Sequence, residues 1–189
     1  MKLVLATRNA HKVQELGALL APHELEPLPD DVVLPPETGT TFADNALIKA
    51  RAAAAATGRP TVADDSGIEA AALGGAPGVH SARFAGEHAT DEENLDKLLR
   101  EAPAGSDVAY ACVLAYVDPA TGAEQLVEGR CTGTLTDEPR GTGGFGYDPA
   151  FVPVEHPDRT MAELSDEEKG AISHRGRAAS ELRAWLAQQ

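Results

Sequence analysis

The sequence is poor in basic residues. It contains 16 Lys and Arg residues against 30 Asp and Glu residues, which gives a formal net charge of −14. A sequence-independent grip on a nucleic-acid backbone requires a basic surface, so this composition argues against a nucleic-acid-binding protein. It remains compatible with a small phosphorylated ligand, because a metal ion and a few lysines can neutralise such a ligand locally.

Cysteines, aromatic residues and long apolar runs are also scarce. The two cysteines, Cys112 and Cys131, make no disulfide framework, and both lie in strand-like runs, so buried free thiols are expected. Aromatic residues make up 4%, so Ala, Leu and Val must fill the core. No run approaches a membrane span, and Met1-Lys2 leads into a strand without a signal peptide. We expect one domain over residues 1–189, without a separable linker, in a reducing cytoplasm.

Hydrophobic periodicity predicts an α/β fold that begins with a strand, a polar loop and a helix. The predicted strands cover residues 3–6, 25–28, 60–63, 68–73, 108–117, 124–132 and 151–154, with a short edge at 134–136. The predicted helices cover 42–57 and 91–100, a helix just after residue 12 and a last helix through 178–186. A further helix should start at Ser165, which with Glu168 matches a capping box. The turn at 118–122 predicts that the strands on either side of it form an antiparallel hairpin.

The stretch from Val62 to Gly67 carries two adjacent carboxylates and a hydroxyl. The pattern predicts a short strand that ends in a glycine turn. Since neighbouring side chains of a strand point to opposite faces, Asp64 and Asp65 should not share one pocket equally. One carboxylate would face the ligand, and the other would brace the backbone. Such a strand end suits Mg²⁺, although a polar turn capped by Asp and Ser is the simpler alternative.

Two further stretches could contribute to that site. Glu37 lies in a proline-interrupted loop over residues 30–41, where it either completes a metal site with Asp65 or is a solvated acid. The loop from Thr7 to Lys12 precedes a helix whose first N–H groups favour an anion. No Gly-rich Walker loop is present, and an ordinary helix cap with solvated basic residues is the alternative.

A glycine-rich loop over residues 140–149 surrounds Phe145 and Tyr147. Such a loop can place an aromatic ring and a carboxylate where a flat ligand stacks. Alternatively, it is a long turn with a packed phenylalanine. His174 and Arg175 together could contact a polar ligand edge, whereas either alone is more often a surface or capping residue.

Together these stretches resemble one family, the inosine triphosphate pyrophosphatases, also called dITP/XTP pyrophosphatases. The motifs occur in family order and run nearly from end to end of the chain. They are Thr7-Arg8-Asn9 through Lys12, Glu37-Thr38-Gly39 with Phe42 and Asn45-Ala46, Ala63-Asp64-Asp65-Ser66-Gly67, Leu73-Gly74-Gly75-Ala76-Pro77-Gly78, Ser81-Ala82-Arg83, Gly141 to Pro149, and Glu167 to Lys169 with Ser173-His174-Arg175. Arg8 departs from the commonest family pattern, which has glycine there.

The resemblance implies an elongated, two-lobed α/β fold with a central mixed β-sheet, flanking helices and a cleft between the lobes, usually as a homodimer. It implies Mg²⁺-dependent hydrolysis of dITP, ITP and XTP to the nucleoside monophosphate and pyrophosphate, without nucleic-acid or membrane partners. Two other functions stay open: a catalytically inactive purine-nucleotide sensor, and a broader nucleotide phosphatase that releases orthophosphate.

The resemblance also implies roles for individual residues. Asp65 would be the general base and a metal ligand, and Glu37 the second metal ligand. The implied substrate-binding residues are Thr7, Arg8, Asn9, Ala10, His11, Lys12 and Lys49 for the triphosphate, Ser66 beside Asp65, and Phe145, Gly146, Tyr147, Asp148, Lys169, His174 and Arg175 for the base. Hypoxanthine and xanthine carry a carbonyl at position 6, which can accept a hydrogen bond from a donor such as Lys169. The amino group of adenine at that position cannot accept one, so adenine would be rejected. A cation beside Asp65 should lower its pKa.

Overall fold

The computed structural model describes all 189 residues, which form six strands and five α-helices. In chain order these are β1 Lys2–Leu5, α1 Ala10–Leu19, β2 Glu24–Pro27, α2 Phe42–Thr57, β3 Thr61–Ala70, α3 Asp91–Glu101, β4 Asp107–Asp118, β5 Ala123–Leu135, β6 Phe151–Pro153, α4 Asp166–Ile172 and α5 His174–Leu186. Short 3₁₀ helices occur at Ala71–Leu73, Gly78–Arg83, Asp148–Ala150 and Met161–Glu163. None of the helices has the length and apolar character that a membrane crossing requires.

The strands form one mixed sheet in the order β2-β1-β3-β4-β5-β6. Strand β1 pairs in parallel with both β2 and β3, and β6 pairs antiparallel with β5. Strands β4 and β5 are neighbours joined by only four residues, a connection too short for parallel strands. The predicted α/β class with a mixed sheet and an antiparallel hairpin is therefore confirmed.

The chain divides into two compact units. The first comprises Met1–Asp65, Cys112–Gly129 and Arg175–Gln189, and the second comprises Ser66–Ala111 and Arg130–His174. In the first unit, Leu5 and Val62 pack with apolar residues of α1 and α5, whereas Val4 and Ala63 pack with the alanines of α2. Strands β1 and β3 are thus buried on both faces, and alternate residues face different helices.

The second unit has a core of its own. Phe151 is fully buried there, and its ring stacks on Tyr110 with centroids 4.5 Å apart. Leu98 of α3 and Met161 belong to the same cluster. Cys131 is buried here and Cys112 in the first unit, both as free thiols, which confirms that prediction.

The predicted starts of α2, α3 and α4 are also confirmed. The Thr41 hydroxyl accepts a hydrogen bond from the Asp44 N–H at 3.1 Å and caps α2. The predicted capping box is present at α4, where Ser165 and Glu168 exchange hydrogen bonds with each other's backbone N–H groups. These local motifs specify helix ends without any tertiary information.

Two boundary predictions were wrong. Residues 64–67 are not a strand exit, because β3 continues from Thr61 to Ala70, and Ala71–Leu73 is a 3₁₀ helix. A Cβ on Gly67 would clash with the Gly78 carbonyl and the Ser81 hydroxyl. This glycine therefore permits a close backbone approach rather than a turn. The separate edge predicted at 134–136 is the end of β5, which pairs with β6.

Candidate active site

Strand β3 presents its two carboxylates on opposite faces. Asp64 follows Val62 by two residues and shares its face, toward α1 and α5, whereas Asp65 shares the face of Ala63, toward α2. The contacts agree with this alternation, since Asp64 meets Lys12 and Asp65 meets Lys49. The predicted orientation of the two side chains toward opposite faces is confirmed.

Asp65 lies in a cluster with side chains from α2 and the loop before it. The Lys49 ammonium donates to Asp65 Oδ1 at 2.9 Å and to Glu37 Oε1 at 2.6 Å. The Asn45 amide donates to Asp65 Oδ2 at 3.3 Å. Because Asn45 and Lys49 are four residues apart on α2, they face the same strand.

Asn45 also ties the Glu37 loop to α2. Its Oδ1 accepts a hydrogen bond from the Gly39 N–H at 2.8 Å. A Cβ on Gly39 would lie 2.5 Å from the Asp44 Cβ and 2.7 Å from Asn45 Oδ1, so this approach requires glycine. The loop is therefore held where the Glu37 carboxylate reaches the Asp65 cluster.

Burial and charge oppose each other in this cluster. Burial disfavours the charged Lys49 ammonium, but Asp65 and Glu37 outweigh it and raise the Lys49 pKa. Burial raises the pKa of Asp65, Lys49 lowers it and Glu37 raises it, with a net upward shift. The lowered pKa expected for Asp65 presupposed a bound cation, and the groups of the chain alone shift it the other way.

The donor set of this cluster fits a hard divalent cation. Glu37 and Asp65 both reach the Lys49 ammonium, so their carboxylate oxygens converge on one point. The structure has no group of three or more His, Cys, Asp or Glu side chains that could hold a metal ion. Mg²⁺ is commonly bound by one or two carboxylates, with water and substrate phosphates completing its shell. Two carboxylates are therefore sufficient protein ligands when the substrate carries phosphates.

Asp64 is surrounded by donors. It forms an ion pair with Lys12, and its Oδ2 accepts from Arg175 Nε at 3.1 Å and from the Cys112 thiol at 3.1 Å. Arg175 also donates through Nη1 to Glu15 Oε2 at 3.0 Å. Burial alone would raise the Asp64 pKa, but the charges of Lys12 and Arg175 hold that pKa well below its usual range.

The pKa values of Arg175 and Cys112, which both donate to Asp64, are raised. Burial disfavours the charged Arg175 guanidinium, yet Asp64 and Glu15 outweigh it and raise the Arg175 pKa. Burial raises the pKa of the Cys112 thiol, and the Asp64 charge adds to that effect. The thiol therefore stays protonated and serves as a donor to Asp64.

The first loop is organised by its own side chains. Asn9 caps α1, since its Oδ1 accepts from the His11 and Lys12 N–H groups at 3.0 and 3.2 Å. The Thr7 hydroxyl accepts from the Asn9 N–H at 3.2 Å. Ala10 and His11 are exposed at the start of the helix. The loop thus presents the Lys12 side chain from a fixed helical turn.

Arg8 is directed toward the segment after β2. Its guanidinium donates to three backbone carbonyls, those of Leu28 at 2.8 Å, Pro29 at 2.6 Å and Val32 at 3.0 Å. It also lies 3.5 Å from the carboxylate of Asp30. In this arrangement Arg8 braces the loop that leads to Glu37.

A second cluster lies in the second unit around Asp148. Lys169 donates to Asp148 Oδ2 at 2.7 Å, and the Phe145 N–H donates to the same oxygen at 2.9 Å. The Tyr110 hydroxyl donates to Asp148 Oδ1 at 3.0 Å. The Lys169 ammonium also lies 5.3 Å from the centroid of the Phe145 ring. A cation, its counter-ion and an aromatic ring are thereby brought together.

The loop around this cluster is fixed at both sides. The Gly146 N–H donates to Asp91 Oδ2 at 3.0 Å, and the Tyr147 hydroxyl donates to the Ser81 carbonyl at 2.6 Å. His174 stacks on Tyr110 with centroids 4.6 Å apart and the planes inclined by 13°. The glycine-rich loop therefore has a definite conformation despite its composition.

Arg175 has two carboxylate partners in the first unit. The structure connects Phe145, Asp148 and Lys169 directly, whereas the Arg175 guanidinium lies at Asp64 and Glu15. Ser66 is half-buried in β3, directly after Asp65. The roles assigned to these residues stay predictions, and the placement of Arg175 suggests a second task for it.

Sequence reasoning assigned no site role to four residues that complete the clusters around Asp64, Asp65 and Asp148. They are Asn45, Glu15, Cys112 and Tyr110. Helical spacing offered a signal for two of them, because Asn45 precedes Lys49 by four residues and Glu15 follows Lys12 by three. The other two are strand residues whose sequence context gives no signal, since their partners are distant in the chain.

The chain is similar to known proteins over nearly its whole length. The model of the Ham1 family matches residues 3–185. A protein from Streptomyces avermitilis named dITP/XTP pyrophosphatase is 53% identical, over 96% of this chain and 94% of its own length. An Escherichia coli K12 protein of the same name is 50% identical, over 94% and 93% of the two chains.

Solved structures agree with these sequence matches. A HAM1 protein from Coxiella burnetii superimposes with a TM-score of 0.89 at 42% identity, over 100% of both chains. A nucleoside-triphosphatase or dITP/XTP pyrophosphatase from Mycobacterium abscessus has a TM-score of 0.74 at 46% identity, over 96% of this chain and 98% of that one. The resemblance inferred from the sequence motifs is confirmed, and the chain belongs to the Ham1 family.

Proposed function

We propose that this protein hydrolyses dITP, ITP and XTP to the nucleoside monophosphate and pyrophosphate. The observation that carries the proposal is the convergence of Glu37, Lys49 and Asp65, which joins two potential metal ligands to a cation suited to phosphate. The names of relatives that are about half identical over nearly their whole length support the same activity.

We infer that Glu37 and Asp65 hold Mg²⁺ together with phosphate oxygens of the substrate. When bound, the ion supplies positive charge that offsets the negative charge developing on the attacked phosphate. Lys49 already contacts both carboxylates, so it would remain beside the phosphates as a further positive charge. Lys12 adds a second compact ammonium, a group suited to phosphate oxygens.

Asp65 is the residue positioned to take a proton from the attacking water. Each of its oxygens accepts one hydrogen bond, from Lys49 and from Asn45, and each retains capacity to accept another. The water oxygen bonds to the α-phosphorus, the bond from that phosphorus to the pyrophosphate oxygen breaks, and the water proton passes to Asp65. Because Asn45 and Lys49 fix the carboxylate, its orientation requires little rearrangement during the reaction.

The cluster around Asp148 would recognise the base. The Phe145 ring offers a face for stacking, and the Lys169 ammonium can donate to the carbonyl at position 6 of hypoxanthine or xanthine. Adenine has an amino group at position 6, so that neither this group nor the Lys169 ammonium would find an acceptor. Asp148 balances the charge of Lys169, whose side chain is 7% exposed, and fixes its position. The family resemblance further supports a homodimer and a cytoplasmic location.

The test is product analysis with Mg²⁺, offering ITP, XTP, ATP and GTP separately. We expect monophosphate and pyrophosphate from ITP and XTP, and little product from ATP or GTP. Release of orthophosphate would instead favour the broader phosphatase. Binding of ITP without turnover would favour the sensor and contradict the proposal.

A further inference from the structure

Three ion pairs link the charged side chains around Asp64 into a series that begins and ends on α1, here called the ring. Asp64 pairs with Lys12 and with Arg175, and Arg175 pairs with Glu15. Glu15 follows Lys12 by three residues on α1, so both lie on the same side of that helix. Strand β3, helix α5 and helix α1 thus each contribute to one ring of alternating charge.

Only part of this ring reaches solvent. The side chains of Asp64 and Arg175 are 0% and 5% exposed, whereas those of Lys12 and Glu15 are 15% and 22% exposed. The two positive and two negative charges balance one another. Removing one member would therefore leave a buried neighbour without its counter-charge, which is unfavourable in a poorly solvated site.

The ring determines where the Lys12 ammonium lies. Arg175 Nε and the Cys112 thiol both donate to Asp64 Oδ2, and the pair with Lys12 is made through Oδ1. An ammonium has three donors, so Lys12 retains donors for a ligand. Its position therefore depends on how Asp64 is held.

Glu15 acts on Asp64 through Arg175. The guanidinium is shared, with Nε on Asp64 and Nη1 on Glu15. Without the Glu15 charge, Nη1 is held less strongly, and the planar guanidinium can turn a second donor toward Asp64, in the bidentate geometry that arginine favours with carboxylates. It would then compete with Lys12 for Asp64 Oδ1.

We propose that Glu15 is a positioning residue for polyphosphate binding, because it holds Arg175 and thereby keeps the Lys12 ammonium on Asp64. This inference rests on the proposed function, in which Lys12 contacts the phosphates. It gives Arg175 a role in the phosphate half of the site that is separate from any contact with the base.

The sign of the effect separates positioning from simple electrostatics. Replacing Glu15 with glutamine removes a negative charge near the phosphate site, so a purely electrostatic role predicts tighter binding of an anion. The positioning role predicts weaker binding, since Lys12 loses its fixed place. The two accounts therefore predict opposite changes for the same substitution.

The experiment measures the affinity for inorganic pyrophosphate, with Mg²⁺ present, by titration calorimetry. We expect about 10-fold weaker binding in Glu15→Gln than in the unmodified protein, or ~1.4 kcal/mol. With ITP, KM should rise by a similar factor while kcat changes less than about 3-fold, the pattern of lost uniform binding. Glu24→Gln is the matched control, because it removes an equal charge from an exposed pair with Lys2.

A double-mutant cycle with Lys12→Gln tests whether Glu15 acts through Lys12. In that background Glu15→Gln should cause no further loss of pyrophosphate affinity. An equal loss in both backgrounds, or tighter binding in Glu15→Gln alone, would overturn the proposal. So would an absence of pyrophosphate binding by the unmodified protein.

Two provisions keep the test decisive. If Glu15→Gln does not fold, Glu15→Asp, which keeps the charge and shortens the reach, enters the same cycle with the same criteria. If the unmodified protein does not hydrolyse ITP, the proposed function fails, whereas the pyrophosphate titrations still decide the role of Glu15.

Discussion

Asp64 and Asp65 are neighbours in the chain and are both buried, at 1% and 6% exposure, yet their surroundings differ. Asp64 contacts two cations and a thiol, and its pKa is held well below the usual range. Asp65 shares a single ammonium with Glu37, and its pKa is raised. Burial pushes both pKa values upward, so the number of cations available to each carboxylate decides the outcome.

This difference suggests a division of roles between the two faces of β3. A carboxylate whose oxygens are satisfied by cations is a poor proton acceptor but a strong anchor. A carboxylate that shares its cation and keeps acceptor capacity can bind a metal ion or take a proton from water. Asp64 therefore suits the organisation of the phosphate site, and Asp65 suits catalysis.

The largest expected effect is on catalysis by Asp65→Asn. The amide cannot accept the water proton and is a poorer metal ligand, so we expect kcat for ITP to fall by at least about 10³-fold. Pyrophosphate affinity should fall far less, because Lys12 remains on Asp64. Steady-state kinetics and calorimetry measure the two quantities, with the exposed Asp31→Asn as the control. A loss of less than about tenfold in kcat would contradict the assignment of the base.

The next largest effect is on stability, in Asp64→Asn. This change leaves the charges of Lys12 and Arg175 without their carboxylate, and we expect the free energy of unfolding to fall by about 3 kcal/mol. Asp65→Asn should cost less, since it also removes the desolvation of a carboxylate whose pKa is raised. Urea denaturation of both variants provides the measurement. Equal losses would contradict the division between the two faces of β3.

A smaller effect is expected on base selection in Lys169→Gln. The change removes the proposed donor to the carbonyl and leaves Asp148 without its cation, so the preference in kcat/KM for ITP over ATP should fall by about 10-fold. Pyrophosphate affinity should stay within about 2-fold, because Lys169, which donates to Asp148, is proposed to bind the base rather than the phosphates. Lys2→Gln, an exposed lysine, is the matched control. An unchanged preference would remove Lys169 from base recognition.

The smallest effects concern pH and have opposite signs for the two aspartates. The folded pKa of Asp64 lies below the unfolded value of about 3.9, so its ionised form stabilises the fold above that pH, and this contribution is lost as pH falls through the folded pKa. The folded pKa of Asp65 lies above the unfolded value, so its contribution is present at low pH and is lost as pH rises through the folded pKa.

Urea denaturation between pH 3 and 7, with a chelator present, tests both signs. The stability deficit of Asp64→Asn relative to the unmodified protein should shrink toward low pH. Asp65→Asn should gain stability relative to the unmodified protein as pH rises. Parallel curves for the two variants would show that the surroundings of the carboxylates do not differ as described.

Local patterns in the sequence were sufficient to predict much of the fold and the opposite orientations of the two aspartates on β3. Alternation along a strand predicted the opposite directions of Asp64 and Asp65, and the Ser165 capping box predicted the start of α4. The continuation of β3 through Gly67 was missed because a Ser-Gly pair is typical of a turn. A glycine is required at position 67 because the backbone there lies close to Gly78 and Ser81, a contact that the local sequence pattern does not encode.

The membership of the candidate site was less predictable than its central residues. Arg175 lies 111 positions from Asp64, and Cys112 lies 48 positions away, so their pairing depends on the tertiary fold. The family resemblance placed Arg175 with Lys169 among the residues expected to hold the base. The tertiary fold brings the Arg175 guanidinium to Asp64 and Glu15.

The most direct test of the proposed reaction is hydrolysis of ITP in ¹⁸O-labelled water with Mg²⁺, followed by mass spectrometry of both products. Attack of water on the α-phosphorus predicts one labelled oxygen in the monophosphate and none in the pyrophosphate. The rate of labelling should fall at least about 10³-fold in Asp65→Asn. Label in pyrophosphate or in released orthophosphate would contradict the proposed chemistry.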